Sequence, residues 1–499
     1  MIYGIGTDLL RVARIHSAFE VRGMRFAQRI LGERELQIFN RRFERNRERG
    51  LLFLATRFAA KEALSKAIGL GMRQPMSWRM AEFVNAPTGK PTVELNEPLK
   101  SWCIERGLSF HVSVTDEAEM GLCVCGGGGC ENMTNANLLG PMIVDLTGFN
   151  LTADDKRRLA HPNTGGVILF GRNFKTRAQV TKLIKAIRAI RPNIIISVDH
   201  EGGRVQRFKS DGFTHLPSMR ELGAVYAHDA LHGAHLATEV GFVLASELRA
   251  VGVDYSYTPV LDLDYGGSTV IGDRAFAPSA QDVVVLAKAL LHGMLQAGMA
   301  GCGKHFPGHG FVVADSHVDM PVDKRSLKKI LEGDVVPYAH LAQDLGAVMP
   351  AHVIYPKVDA LPAGFSKIWL GMLRHDLQFT GALVTDDLSM AGAAMIYPDV
   401  VQRVCAALDA GCDMAMVCNR PNDLDTALAG LPKNYARRAH QKGAQTKIQS
   451  LRARGIAFNW NELQKSPRYQ NALNAVRPYC RNLVQTHRAI DPTEVMLLK

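Results

Sequence analysis

The stretch NIIISVDHEGG, residues 193–203, sets a mostly apolar run, interrupted only by Ser197, directly before Asp199 and His200. A short apolar run bounded by turn residues is typical of a strand buried on both faces of a sheet. The same order, an apolar run followed by polar or turn residues, recurs in seven further segments: PMIVDLTG (141–148), GGVILFG (165–171), VDYSYTPVLDL (253–263), AGCGKHFPG (300–308), AVMPAHVIY (347–355), GALVTDD (381–387) and CDMAMVC (412–418).

Helical patterns of apolar residues separate these runs, for example over residues 176–189, 231–251, 280–297 and 400–411. Roughly eight strand–helix units are the number found in a (β/α)8 barrel, the TIM-type α/β fold whose active site lies at the carboxyl ends of the strands. We therefore predict such a barrel over residues 138–432. Polar candidates lie at the predicted strand ends: Asp199, His200, Asp262, Lys304, His305, His352 and Asp386.

A chain of 499 residues is long enough for two domains or more. Four consecutive glycines and a polar run indicate a boundary, so we predict a first domain over 1–125 and a linker over 126–137, with a basic helical tail over 433–499. Nine cysteines are few for this length and favour reduced thiols in a cytoplasmic protein. Neither a secretory signal nor an apolar run that could span a bilayer is evident, so we expect no membrane association.

The net charge of +11 is uneven, because arginines are dense in the first fifty residues. Such a surface attracts an acidic partner or a phosphate-bearing ligand, although a solvated basic helix explains it equally well. Nucleic acid is disfavoured as a partner, since the sequence has no finger or helix-turn-helix signature and no interleaved aromatic residues.

Asp386 and Asp387 directly follow the apolar run GALVT. An ionised aspartate at a strand end can attack an anomeric carbon and form a covalent glycosyl intermediate. Because neighbours on a strand point to opposite sides, only one of the two can face a substrate, and we predict that it is Asp386.

Asp315 and His317 stand two residues apart in a segment rich in glycine and histidine. A histidine can protonate a leaving oxygen and later deprotonate a water, and a nearby carboxylate fixes its tautomer. A helix cap followed by an ordinary histidine is the alternative. Side chains suited to directed hydrogen bonds with sugar hydroxyls follow other strands: Asp199, Arg207, Arg274, Lys304 and His305.

A second pair of carboxylates lies in the first domain. Asp8 is expected to end an apolar strand, and Glu62 lies in the helical pattern RFAAKEALSKAIG, residues 57–69. Two such carboxylates can meet on one magnesium ion and bring in a diphosphate, and Lys66 on the same helix can pair with phosphates. A surface helix with an i,i+4 pair between Glu62 and Lys66 explains the same residues.

Residues 139–430 resemble the bacterial β-N-acetylhexosaminidases of glycoside hydrolase family 3, through the ordered motifs VDHEGGRVQRF, IGDRAF, KHFPGHG, ADSH and TDDLSMAGA. The resemblance implies Asp386 as the nucleophile, His317 as the acid/base and Asp315 as its partner, in a retaining mechanism without a metal. It also implies removal of N-acetylglucosamine from GlcNAc–anhydroMurNAc muropeptides during cell-wall recycling in the cytoplasm. The sugar contacts that it implies are Asp199, Arg207, Arg274, Lys304 and His305.

Residues 1–125 resemble the holo-acyl-carrier-protein synthases, which are 4′-phosphopantetheinyl transferases, through GIGTDLLRVARI, FLATRFAAKEALSKAIG, GKPTVEL and HVSVTDE. The resemblance implies an α+β domain with Mg2+ at Asp8 and Glu62, and CoA as the phosphopantetheine donor, with Lys66 as a CoA contact. The implied acceptor is a serine of an acidic acyl carrier protein, and the family is usually trimeric. Candidate docking residues for that carrier are Arg14, Arg22 and Arg25.

A bifunctional enzyme is the leading hypothesis, and three others compete with it. The first domain could be an inactive trimerising or carrier-binding module, which would leave a glycosidase alone. The barrel could transfer sugar to phosphate rather than to water. It could also be a metallohydrolase, with zinc on His305, His309 and His317 or a divalent ion at VDHEGG.

Overall fold

The computed structural model describes residues 2–85, 91–106, 108–116, 120–129, 138–313 and 320–480. The chain divides into two compact units, Met1–Thr134 and Asn135–Lys499. Within the described residues, no helix combines the length and the apolar composition that a membrane span requires.

The first unit is an α+β domain, as predicted. Its three-stranded antiparallel sheet has the order β1-β5-β4, and β2 and β3 form a separate antiparallel pair. The elements are β1 (Ile2–Arg11), α1 (Val12–Arg22), α2 (Met24–Ile30), α3 (Glu33–Arg45), α4 (Arg47–Ala67), β2 (Ala81–Asn85), β3 (Pro91–Leu95), α5 (Leu99–Glu105), β4 (Leu108–Asp116) and β5 (Met120–Gly129).

Helix α4 lies against strand β1 at backbone contact distance. A Cβ atom on Gly6 would lie 1.9 Å from the carbonyl oxygen of Ala63, and one on Gly4 would lie 2.2 Å from that of Ala67. Only glycine leaves room for this approach, since any side chain would overlap the helix backbone. The helix begins after Asn46, whose side chain accepts a hydrogen bond from the backbone N–H of Arg49.

Two boundaries in this unit differ from the prediction. Strand β1 continues to Arg11, so Asp8 lies inside the strand and not at its end. Gly126–Gly129 are the last residues of β5; all four pair with β4, and the first three also pair with β1, so these glycines belong to the sheet and not to a linker. Residues 130–137, the rest of the predicted linker, lie outside the described residues.

The second unit contains eight parallel strands in the order β10-β11-β12-β13-β6-β7-β8-β9. Parallel bridges from Ser256 to Gly301 and from Val260 to Lys304 bring the two ends of this order together, so the sheet curls into the predicted barrel. The strands are β6 (Met142–Val144), β7 (Thr164–Leu169), β8 (Ile195–Val198), β9 (Tyr255–Ser256), β10 (Cys302–Phe306), β11 (Ala347–Pro350), β12 (Ala382–Asp387) and β13 (Met414–Met416).

Helices cover the barrel because their apolar faces pack on the strands, as the sequence periodicity predicts. The predicted tail is helical up to Tyr479, and its Ile448, Leu451 and Tyr469 are buried in the same core as the strands. The helices are α6 (Ala153–Ala160), α7 (Arg177–Ile190), α8 (Met219–His228), α9 (Ala230–Val251), α10 (Ala280–Gln296), α11 (Leu327–Glu332), α12 (Val336–Leu341), α13 (Lys367–Gly371), α14 (Ala391–Ala394), α15 (Val400–Ala410), α16 (Pro421–Gly430), α17 (Lys433–Ala439), α18 (Lys442–Gln449), α19 (Trp460–Lys465) and α20 (Pro467–Val476).

Candidate functional sites

Asp386 and Asp387 end strand β12 in different environments. Asp387 is buried and accepts hydrogen bonds from Ser389 N at 2.9 Å, Ser389 Oγ at 2.7 Å and Cys418 N at 3.0 Å. Burial raises the pKa of Asp387 to about 6. Asp386 is half-buried, and it is the one residue between Ala382 and Met390 that is not buried. Asp387 is therefore held as part of the barrel framework, and Asp386, at the end of β12, keeps part of its surface exposed.

The negative charge of Asp386 acts on a buried residue of a nearby strand, Cys302 on β10. Burial raises the pKa of the Cys302 thiol on β10 to about 12, and the negative charge of Asp386 contributes to that increase.

Asp199 joins two cations after strand β8. Lys304 Nζ donates to one carboxylate oxygen at 2.6 Å, and Arg207 Nη2 donates to the other at 3.1 Å. Both cationic side chains are almost fully buried, with exposed fractions of 3% and 2%, and Asp199 retains 19%. Three of the five predicted sugar contacts therefore form one charged cluster at the carboxyl ends of β8 and β10.

Glu201 extends this cluster to the fourth predicted contact, Arg274. Arg274 binds Glu201 through two hydrogen bonds, at 2.9 and 2.8 Å, and Lys304 also pairs with it. Burial alone would raise the pKa of Glu201, but Arg274 and Lys304 outweigh it and hold that pKa well below its ordinary value. Glu201 lies in the VDHEGG motif, but the sequence did not predict it as a residue of the site.

His305, the fifth predicted contact, pairs with a buried carboxylate. Its Nδ1 lies 2.7 Å from Asp262 Oδ2, and Asp262 Oδ1 accepts from the backbone N–H of His309 at 2.7 Å. Burial would raise the pKa of Asp262, but His305 and His309 outweigh it and lower that pKa. Asp262 therefore stays ionised and fixes the orientation of the His305 ring.

Asp315 and His317, the predicted acid/base pair, lie outside the described residues. Two other predicted polar candidates are core residues: His200 and His352 are each 1% exposed. Burial lowers the pKa of His200 to about 3, so it is neutral at ordinary pH. Both histidines follow strands, yet neither reaches the barrel surface.

A further polar cluster at the mouth was not predicted. Asp145, which follows β6, accepts from Arg172 Nη2 at 2.5 Å and from the backbone N–H of Asn419 at 2.8 Å. Arg172 also donates to Asn419 Oδ1 at 2.9 Å. The sequence pattern could have predicted Asp145, because it directly follows the apolar run in PMIVDLTG, as Asp199 directly follows β8.

The predicted residues of the first unit also come together. Lys66 Nζ on α4 donates to Asp8 Oδ1 at 2.8 Å and to the Thr7 carbonyl at 3.1 Å. The pKa of Glu62 is raised, first by burial and then by the nearby negative charge of Asp8, while Lys66 opposes the increase. Lys66 therefore pairs with Asp8 across the contact between β1 and α4, and is not limited to the helical pair with Glu62.

The donor chemistry of Asp8 and Glu62 fits a magnesium ion. Magnesium is bound by one or two carboxylates and completes its shell with water and substrate phosphates. Burial and then the charge of Asp8 raise the pKa of Glu62, and a bound cation would favour the ionised carboxylate instead. In the described part of the chain, no group of three or more His, Cys, Asp and Glu side chains is arranged to hold a metal, so further ligands would come from a phosphate substrate.

Comparison with known proteins agrees with both architectures. Residues 136–451 match the glycosyl hydrolase family 3 N terminal domain, and residues 4–123 match the 4′-phosphopantetheinyl transferase superfamily. A beta-hexosaminidase of Bordetella parapertussis is 54% identical over 336 residues, which is 67% of this chain and 94% of that protein. A second beta-hexosaminidase, from Thiobacillus denitrificans, is 51% identical over 364 residues, which is 71% of this chain and 98% of that protein.

A solved structure gives the same result for the barrel. The crystal structure of native NagZ from Neisseria gonorrhoeae is 42% identical and matches with a TM-score of 0.64, covering 69% of this chain and 98% of that one. The same protein was solved in complex with N-trifluoroacetyl-D-glucosamine, at 41% identity and a TM-score of 0.64, covering 68% of this chain and 98% of that one. The predicted fusion is thus confirmed: the chain belongs to glycosyl hydrolase family 3 and carries, ahead of that domain, a domain of the 4′-phosphopantetheinyl transferase superfamily.

Proposed function

We propose that the barrel is a retaining β-N-acetylglucosaminidase with Asp386 as its nucleophile. The observation that carries the proposal is the contrast between two neighbours: Asp387 is buried and engaged in hydrogen bonds, and Asp386 keeps part of its surface exposed. The curated relatives bear the name beta-hexosaminidase, and a similar structure was solved with an N-acylated glucosamine.

In the first step, a carboxylate oxygen of Asp386 attacks the anomeric carbon, and the bond between that carbon and the leaving oxygen breaks. The imidazolium of His317, oriented by Asp315, gives its proton to that leaving oxygen. In the second step, His317 takes a proton from a water, whose oxygen attacks the same carbon and releases Asp386. Two inversions give a product with the β configuration of the substrate.

The cluster around Lys304 binds the sugar in this scheme. Lys304, Arg207 and Arg274 have five buried carboxylate bonds among them, so their N–H groups are fixed before substrate arrives. Their remaining donors and the Asp199 carboxylate pair with sugar hydroxyls, and His305 adds a donor whose ring Asp262 orients. Such preorganisation lowers the entropic cost of placing the anomeric carbon against Asp386.

The substrate that we propose is a GlcNAc–anhydroMurNAc muropeptide, processed in the cytoplasm during peptidoglycan recycling. The test of the nucleophile is Asp386→Ala assayed on an aryl β-N-acetylglucosaminide, with Asp387→Asn as the matched control. We expect Asp386→Ala to lose about 10⁴-fold or more in kcat, and added azide to restore turnover with an α-glycosyl azide as product. Azide rescue of Asp387→Asn instead of Asp386→Ala would refute the assignment.

We propose for the first unit the transfer of 4′-phosphopantetheine from CoA to a serine of an acidic acyl carrier protein. Asp8 and Glu62 would hold a magnesium ion, which when bound would neutralise charge on the diphosphate of CoA. Lys66 pairs with a phosphate, and Arg14, Arg22 and Arg25 dock the carrier as an acidic partner. A homotrimer formed through this unit is part of the same proposal.

The transferase is tested by the mass gain of an acyl carrier protein incubated with CoA and Mg2+. Asp8→Ala and Glu62→Gln should abolish that gain and leave hexosaminidase activity unchanged in the same molecules. A wild-type chain that modifies no carrier protein, yet binds one, would favour the alternative of an inactive carrier-binding module.

A further inference from the structure

Two aromatic side chains lie exposed at the carboxyl ends of neighbouring strands. Tyr265 follows β9 and Phe311 follows β10, and they are 42% and 44% exposed. Their rings meet edge to face, with centres 5.4 Å apart. Single exposed apolar residues are common on proteins, but a paired aromatic surface at this end of a barrel is typical of a ligand contact. We call this pair the aromatic platform.

Short stretches of chain connect the platform to the residues proposed to bind the sugar. Asp262 accepts from the backbone N–H of His309 at 2.7 Å and holds the His305 ring at 2.7 Å. Phe311 is two residues after His309, and Tyr265 is three residues after Asp262. Because consecutive Cα atoms are about 3.8 Å apart, these two separations are at most about 8 and 11 Å, Cα to Cα. The platform therefore lies beside the sugar site.

The platform is held in place without a ligand. The Arg325 guanidinium lies 4.9 and 4.2 Å from the centres of its two rings. Arg325 Nη1 also donates to Tyr265 Oη at 2.8 Å, and that hydroxyl donates to the buried Asp334 at 3.0 Å. Gly310 packs so closely on the other loop that a Cβ atom there would lie 1.9 Å from the Leu263 carbonyl oxygen. Rings fixed in this way lose little conformational freedom when a ligand covers them.

The second ring of a disaccharide has to lie on exposed surface near the first. The side chains of Lys304, Arg207 and Glu201, in the cluster proposed to bind the first sugar, are almost fully buried. In the proposed substrate the second ring is an anhydro sugar, whose internal ether uses the oxygens of C1 and C6. This ring therefore lacks two hydroxyls that a reducing hexose carries, and its more apolar surface suits an aromatic contact.

We infer that the aromatic platform binds the leaving-group ring of the substrate and favours the anhydro sugar over a ring with free hydroxyls at C1 and C6. The inference rests on the proposed glycosidase function. Contacts to a part of the substrate that does not react still contribute to kcat/KM, because they hold the reacting part in place. We expect the removal of one ring of the platform to lower kcat/KM by about 10-fold, which corresponds to about 1.4 kcal/mol.

The experiment measures kcat/KM of the full chain on three substrates that share the first sugar. They are GlcNAc–anhydroMurNAc, the reducing disaccharide GlcNAc–MurNAc, and 2,2,2-trifluoroethyl β-N-acetylglucosaminide, whose leaving group has no ring. Phe311→Ala removes one ring of the platform, and Phe311→Tyr keeps it. Phe149→Ala is the matched control, because Phe149 is 42% exposed and follows β6 at the same end of the barrel.

We expect Phe311→Ala to lose about 10-fold on the anhydro disaccharide, about threefold on the reducing disaccharide, and less than twofold on the trifluoroethyl glycoside. Phe311→Tyr should restore the wild-type values, and Phe149→Ala should change none of them by more than twofold.

Equal losses of Phe311→Ala on all three substrates would overturn the inference, because the ring would then act on the first sugar or on the fold. Equal losses on the two disaccharides alone would overturn the preference for the anhydro sugar. A loss confined to Phe149→Ala would place the second ring on another part of the barrel end and would overturn the inference as well. A wild-type chain that cleaves none of the three substrates would instead overturn the proposed function.

Discussion

The contact between β1 and α4 should decide whether the first unit is active, and Gly6→Ala perturbs it directly. The added Cβ would lie 1.9 Å from the Ala63 carbonyl oxygen and 2.6 Å from Ala67 N. Ordinary contact begins near 3.4 Å, so α4 must retreat by roughly 1.5 Å. That retreat carries Glu62 and Lys66 away from Asp8, and we expect transferase activity to fall by about 10²-fold.

Carrier-protein mass gain over time measures the transferase, and hydrolysis of an aryl N-acetylglucosaminide by the same sample is the internal control. Overpacking of this kind costs about 1–3 kcal/mol, so a second variant must separate lost stability from lost geometry. Gly69→Ala serves, because Gly69 has φ +74° and a Cβ added there would meet no atom within 4 Å, so the change adds backbone strain without pushing α4 from β1.

Full transferase activity in Gly6→Ala would show that the site does not depend on the close approach of the helix. Equal losses in Gly6→Ala and Gly69→Ala would also contradict this dependence, because stability alone would explain them. The expected result is a large loss in the first variant, a small one in the second, and unchanged hydrolysis in both.

Three further predictions concern buried charges. Asp387 binds a proton more readily in the folded chain than in the unfolded one, because its pKa in the folded chain is about 6. Its protonation therefore stabilises the fold below about pH 4, and this stabilisation, up to about 3 kcal/mol, is lost as the pH rises through about 6. In melting curves, Asp387→Asn should abolish this loss. Tyr469 donates to the buried Glu247 at 2.6 Å, and burial raises the pKa of Glu247 to about 7, so Tyr469→Phe should lower the melting temperature more at pH 8 than at pH 6. Lys61 pairs with Glu35 at 2.6 Å with neither side chain exposed, so Lys61→Met should destabilise the first unit by about 3–5 kcal/mol in denaturant titrations and leave hydrolysis by the barrel intact.

The barrel was predictable from sequence because each strand is a buried apolar run ending in polar residues. The helix predicted over 231–251 is found as Ala230–Val251, and the strand predicted within 381–387 as Ala382–Asp387. Periodicity also predicts different surroundings for Asp386 and Asp387, because neighbours on a strand point to opposite sides, and the first is half-buried while the second is buried.

The ion-pair and hydrogen-bond partners of residues at the strand ends were not predictable from the sequence. Glu201, Asp262 and Asp145 each follow an apolar run, but their ion pairs and hydrogen bonds reach residues up to 274 positions away, which no local pattern encodes. His200 shows the converse error, since a polar residue at a strand end can point into the core. Four consecutive glycines are typical of a flexible linker, but the hydrogen bonds of a sheet use only the backbone, so the same residues can lie in a strand.

The most direct test of the barrel's chemistry is to trap its intermediate. A 5-fluoro-N-acetylglucosaminyl fluoride slows departure of the sugar from the nucleophile, so peptide mass spectrometry can locate the attached sugar. We expect one added sugar on Asp386, with none on Asp387. A sugar on any other side chain, or turnover without a covalent adduct and with inversion at the anomeric carbon, would contradict this expectation.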